Sequence, residues 1–310
     1  MNNTYTTINN LNVEFDIVVD DMLHNIFDEI NPKNKALLSI VNKFEDGEWR
    51  LRKFEQFIWD NIKETALSKA ERDSLIDNPD SLLYQSIINL RLLDGEEAGG
   101  EIGEILLHGI MKKYYSALPV VPKIFYKQNA NDYAKGADSV HIVLNDDSTF
   151  SIWLGEAKFY NSLASNRLDK IITSISDMLI TNKLRKEFTI LTSLKDIELY
   201  VNDDLLLQNI KNSLSDGISM DDIKKQLHIP IMLLHECSIT ANNTKDMSQY
   251  IEDIKQEHYD ITSRFIKKLD KKLEKLFLYS EIKFHIIIFP VPNKLEVVQR
   301  FNEKAKMIKS

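Results

Sequence analysis

Two alternating segments, separated by five residues, constrain this chain more than any other feature. Side chains on a strand alternate between its two faces. In Ala137–Leu144 the even positions are Asp138, Val140, Ile142 and Leu144; in Phe150–Lys158 they are Phe150, Ile152, Leu154, Glu156 and Lys158. Matching the apolar members pairs Val140 with Leu154, Ile142 with Ile152 and Leu144 with Phe150. Asn145 to Thr149 then forms the loop of a hairpin of acceptable length. The same register sets Asp138 opposite Glu156, at the roughly 4.5–5.5 Å Cβ separation of cross-strand neighbours. Lys158 follows two residues on. An apolar face thus ends in two acids and a base.

Facing carboxylates repel unless a cation lies between them. Lys158 neutralises one. A divalent ion with a preference for hard oxygen would serve the second, and Mg²⁺ takes one or two carboxylates together with waters and substrate phosphate.

The surrounding text predicts how this hairpin is housed. Leu11 to Val19 reads as a strand, and Asp20 to about Leu93 as helical. Phe54, Phe57, Ile58 and Ile62 fall at helix spacing, with Trp59 on a neighbouring face. Asp94 to Gly100 holds three of the nine glycines and reads as a boundary. It divides a mainly helical N-terminal region, residues 1–94, from residues 95–310. In the second part a helix (Ile102 to Leu118) precedes a strand (Val120 to Lys127) and the hairpin. A helix from about Ser162 to Leu184 follows, then short β-rich runs at Phe188–Thr192, Ile229–Leu234 and Phe284–Phe289. A helical stretch, roughly Lys245 to Phe277, lies between the last two. This order predicts an α/β fold, a mixed sheet flanked by helices.

With 310 residues the chain can bury a large core without a disulfide or metal staple. Its single cysteine, Cys237, fits a reducing cytoplasm. No run is apolar enough to span a membrane, and MNNTYTTINN has no secretory pattern. The 39 Lys and Arg against 47 Asp and Glu give a net charge of −8. A whole-protein electrostatic grip on nucleic acid is therefore not expected. Six basic residues between Arg264 and Lys275 read as a solvated helix face, whereas Arg167 and Lys170, soon after Lys158, are plausible phosphate contacts. His235 and Cys237 share a strand face, but no second Cys/His pair with finger-like spacing follows, so a buried structural thiol is expected. His108 reads as an ordinary boundary histidine. No HExxH, P-loop or GxGxxG is present.

Asp138 on one strand, Glu156-Ala157-Lys158 on the next and a helix on each side resemble the PD-(D/E)xK, restriction-endonuclease-like core, with Gly136-Ala137 where that family has its proline. More of the chain, from about residue 10 to 305, resembles the HamA family of the Hachiman antiphage system. The resemblance rests on FEQFIWDNIKETALSKAER (Phe54 to Arg72), GEIGEILL, GAD…GEAKFYNS and the closing HIIIFPVPNK. It implies a Mg²⁺-dependent DNA nuclease, with Mn²⁺ as a substitute, working under the control of a helicase, HamB. It further implies that Asp138, Glu156 and the Ala157 carbonyl hold metal, that Glu104 is a further or water-mediated ligand (with Glu101 one turn earlier), and that Lys158 positions water. An RNase with the same core and a catalytically silent adaptor are the competing expectations. The N-terminal region, which supplies none of these groups, is the expected helicase-docking surface, with Phe57 and Trp59 as anchors if exposed.

Overall fold

The computed structural model describes residues 14–22, 34–93, 98–122, 124, 136–145, 149–180, 182–185, 195–201, 203–215, 218–242 and 246–310. The expected β-run at Phe188–Thr192 lies outside these residues.

The chain opens with β1 (Asp16–Met22), β2 (Lys35–Val41), and the short β3 (Phe44–Glu45) and β4 (Glu48–Trp49). Three helices follow, α1 (Leu51–Ala66), α2 (Lys69–Ser74) and α3 (Pro79–Ile88). Next come α4 (Gly100–Tyr114), β5 (Leu118–Val121), β6 (Ser139–Leu144), β7 (Phe150–Tyr160) and α5 (Ser165–Met178). The remainder comprises α6 (Asp204–Ser213), α7 (Met220–Lys224), β8 (Leu227–Glu236), α8 (Ser238–Ala241), α9 (Met247–Leu273), β9 (Lys283–Val291) and α10 (Lys294–Lys309). Among the described residues no helix is long and apolar enough to cross a membrane.

Seven strands form one mixed sheet in the order β1-β2-β9-β8-β7-β6-β5. Its centre, β2-β9-β8-β7, is parallel, and both edges are antiparallel. Parallel strands are covered on both faces and read as continuous apolar runs. β9 shows this plainly: Ile286, Ile287, Ile288 and Phe289 are all fully buried. Ile286 and Ile288 belong to the same apolar cluster as Ile171 and Ile175 of α5 and Phe265 and Leu269 of α9. Ile287 and Phe289 belong to a second cluster with Phe54 and Ile58 of α1, Ile105 of α4 and Phe301 of α10. Each such side chain contributes roughly 1.5–3 kcal/mol by leaving water. The result is a sheet between two helical layers.

The N-terminal region differs from its sequence reading. Residues 35–41 form an interior strand of the main sheet, not a helix, and β1 pairs beside it. KALLSIV is apolar with almost no alternation, because β2 is buried on both faces, so its period gives no strand signal. Among the described residues, the helices of this region lie between Leu51 and Ile88. α1 and α3 share one apolar cluster with α4 and α10. Phe57 belongs to that core, its ring tilted against that of Phe15 at 4.8 Å between centroids, and is not an exposed anchor. Trp59 is half-buried against Phe301, with the Lys304 ammonium over its ring.

Candidate active site

The hairpin ladder pairs Val140 with Leu154, Ile142 with Ile152 and Leu144 with Phe150, the register expected from alternation. Its last pair is Ser139 with Gly155. Asp138 stands one residue ahead of β6, and its N–H donates to the Gly155 carbonyl at 2.7 Å. From there the carboxylate turns over the β7 backbone, where Oδ2 accepts the Ala157 N–H at 3.0 Å.

Gly155 makes this close approach possible. A Cβ at that position would collide with Ser139 Oγ and come within 2.8 Å of Leu107 Cδ2 and 3.2 Å of Pro230 Cγ. β7 is therefore flanked tightly by β6, α4 and β8 just before Glu156. On the same face of β7, the one turned away from the Glu156 side chain, α4 seats Gly103 over Ala157, with 3.7 Å from a Gly103 Cβ to that of Ala157.

The Lys158 ammonium joins the two acids. Nζ donates to Asp138 Oδ2 at 3.1 Å and lies 2.6 Å from Glu156 Oε1. The two carboxylate oxygens are thus no farther apart than the sum of those distances. Nζ also donates to the Ala157 carbonyl at 3.1 Å. Glu156 is buried, and its Oε1 has no hydrogen bond of good geometry: the lysine contact is an ion pair only. Ser174 of α5 also acts on Glu156, favouring its ionised form.

Burial raises the Glu156 carboxyl above its ordinary range, and the Asp138 charge adds to this; Lys158 and Ser174 oppose it without cancelling it. For Lys158 burial acts downward, but Asp138 and Glu156 outweigh it and hold the ammonium above its ordinary value. The group is a fixed cation at neutral pH. It cannot serve as a general base, which must release its proton near the working pH.

Of the residues predicted from sequence, the fold brings together Asp138, Glu156, Lys158 and the Ala157 carbonyl. Glu104 follows Gly103 on α4 and is half-buried with Oε2 shielded from solvent; its helix packs on the sheet face that Ala157 lines. Glu101 lies one turn earlier and accepts the Arg91 N–H at 2.6 Å. Arg167 is half-buried, its guanidinium 5.0 Å from the centre of the Tyr160 ring, and Lys170 is exposed. His108 is buried and meets Glu64 at 3.3 Å, 44 residues earlier. In the basic stretch of α9, Lys268 pairs with Asp169 of α5 at 2.6 Å.

Two residues at the site escaped the sequence reading. Ser174 lies 18 positions beyond Glu156 on another element, so only the fold joins them. Tyr160 continues the even-numbered face of β7. Burial raises its hydroxyl pKa, Lys158 and Arg167 oppose this, and Glu156 and Asp138 add to it. Its phenol feels every charge of the cluster. Extending the alternation by one step beyond Lys158 would have found it.

A family model, HamA, matches residues 16–305. The chain belongs to the HamA family. The match spans the sheet, both helical layers and every residue of the acid–lysine cluster. HamA membership supports a role in Hachiman antiphage defence. No protein with a curated description matches the chain.

Proposed function

We propose that this HamA-family chain is a Mg²⁺-dependent DNA nuclease, controlled by a helicase partner. The observation that carries the reading is the convergence of Asp138 and Glu156 on one ammonium, Lys158. The donor set fits a hard divalent ion. Two carboxylates and one backbone carbonyl meet there, and one buried oxygen, Glu156 Oε1, lacks a hydrogen bond. Asp138 and Glu156 would hold the ion with the Ala157 carbonyl, and Glu104 would act as a further or water-mediated ligand. Bound there, Mg²⁺ or Mn²⁺ would supply charge to the phosphoryl oxygens and acidify a water.

The protein's own groups do the rest. Lys158 stays protonated, so it orients a water and offsets negative charge developing on the phosphoryl group. The Ala157 N–H fixes Asp138, so that acid need not reorganise when the phosphodiester arrives. Arg167 and the exposed Lys170 follow β7 directly and would meet the flanking phosphates.

The partner is part of the proposal. A net charge of −8 gives the chain little affinity of its own for a polyanion. A helicase resembling HamB would deliver it to DNA and restrain it otherwise. The test uses the chain alone and co-purified with the helicase encoded beside it. Supercoiled plasmid, linear duplex and RNA are each incubated with Mg²⁺, Mn²⁺ or EDTA. Metal-dependent cleavage of DNA by the complex supports the reading. Cleavage of RNA alone would move it to an RNase, and no cleavage by the complex would leave an adaptor.

A further inference from the structure

His235 and Cys237 have no partner motif nearby in sequence, yet the fold supplies one from α9. Glu257 and His258 of that helix cross the end of β8. Ligand-type atoms of His235, Glu257 and His258 all lie within 4.8 Å of one another. Cys237 Sγ is beside them, donating to Glu257 Oε2 at 3.0 Å. Both imidazoles are buried, and each has a buried Nε2 without a hydrogen-bond partner. Two such orphaned nitrogens around one carboxylate are costly in a native core.

The other nitrogen of each ring is held. His235 Nδ1 lies 3.1 Å from the Glu236 carbonyl oxygen. A carbonyl only accepts, so Nδ1 carries the proton and Nε2 the lone pair. His258 Nδ1 lies 2.6 Å from Ser39 Oγ, which can accept in the same way. Burial keeps both rings neutral. A ring fixed through one nitrogen, with the second open to a cation, is the usual state of a metal-ligating histidine.

We propose that His235, Glu257 and His258 bind one Zn²⁺, with the Cys237 sulfur as the fourth group. Nitrogen and sulfur donors select zinc over Mg²⁺, which takes oxygen. Binding would release the thiol proton to solvent. The site is separate from the Asp138–Glu156 cluster but shares its sheet face, since His235 pairs with Tyr160 in the β7–β8 ladder. It would tie the end of β8 to α9 and, through Ser39, to β2. An open cleft lined by Asn161, His235, Glu257 and Arg264 gives an ion access.

The test measures zinc in full-length protein after zinc supplementation and dialysis into metal-free buffer. About one zinc per chain is expected, retained by Glu156→Gln and lost by His258→Gln and Glu257→Gln. Apo wild-type protein titrated with Co²⁺ should develop tetrahedral absorption with a thiolate charge-transfer band. Cys237→Ser should remove that band. Zinc should raise the melting temperature of wild type and leave that of His258→Gln unchanged. Wild-type protein that binds neither Zn²⁺ nor Co²⁺ overturns the proposal, whether or not the variants fold. So does full zinc retention by both His235→Gln and His258→Gln.

Discussion

Asp138 and Lys158, 20 positions apart, are joined by a 3.1 Å hydrogen bond from Nζ to Oδ2 across two antiparallel strands. The same ammonium lies 2.6 Å from Glu156. One cation therefore balances two acids, and the cluster keeps an excess negative charge when both are ionised. That excess is what a divalent ion would relieve.

Removing the cation should strengthen metal binding. In Lys158→Ala the two acids face each other unpaired, so Mg²⁺ should stabilise the variant more than it stabilises wild type. A ligand that binds only the folded state at 100 times its Kd adds about 2.7 kcal/mol. Melting curves with and without Mg²⁺ check this, and cleavage by the variant should fall at least 100-fold. An equal Mg²⁺ shift in both proteins would separate Lys158 from the proposed metal site.

The pH dependence of Glu156 has a definite sign. Its folded carboxyl pKa is raised, so the folded state holds the proton more tightly than the unfolded state. Stability is therefore lost as pH rises from the ordinary carboxylate value through the folded one. Glu156→Gln carries no such charge. Its melting temperature relative to wild type, without metal, should increase between pH 4 and pH 7. A constant difference would mean the carboxylate is not destabilised by its surroundings.

Glu64 behaves in the opposite way, away from the cluster. Burial would raise its pKa, but His108 and Lys112 outweigh this and lower it to about 2. Its contribution is present above the ordinary carboxylate value and is lost as pH falls toward the folded value. The shift corresponds to roughly 3 kcal/mol at neutral pH. Glu64→Gln should destabilise the protein by about that amount at pH 7 and much less at pH 3, as measured by denaturant unfolding.

Gly155→Ala tests the packing that brings β6 onto β7. The added methyl meets Ser139, Leu107 and Pro230 together, and overpacking of this kind costs about 1–3 kcal/mol. Cleavage should fall with it, because the Asp138 N–H bonds to the Gly155 carbonyl. Unchanged stability would show that the strands separate without cost.

Much of this was legible in residue order, for physical reasons that differ along the chain. The β6–β7 register was readable because each strand keeps one face apolar until the acids begin, so a slip by one residue would bury polar groups. α1 and α4 were readable because their buried positions recur at helix spacing. β2 was not, since a strand covered on both faces loses its period. Asp138 was placed at the right end of the sheet, but its carboxylate bonds to the Ala157 peptide, a detail set by backbone geometry ahead of β6. Ser174 and the His235–Glu257–His258 group were invisible because their members meet only through tertiary packing.

The central claim is that Asp138 and Glu156 form a metal-dependent phosphodiesterase centre. The most direct measurement compares wild type with Glu156→Gln, each co-purified with the proposed helicase partner, for nicking of supercoiled plasmid in Mg²⁺. The amide keeps the shape of the side chain and removes the charge that the ion requires. Wild type should nick the plasmid in Mg²⁺ and not in EDTA, while a folded Glu156→Gln complex should lose at least 100-fold of that rate. Equal nicking by both complexes would contradict the account.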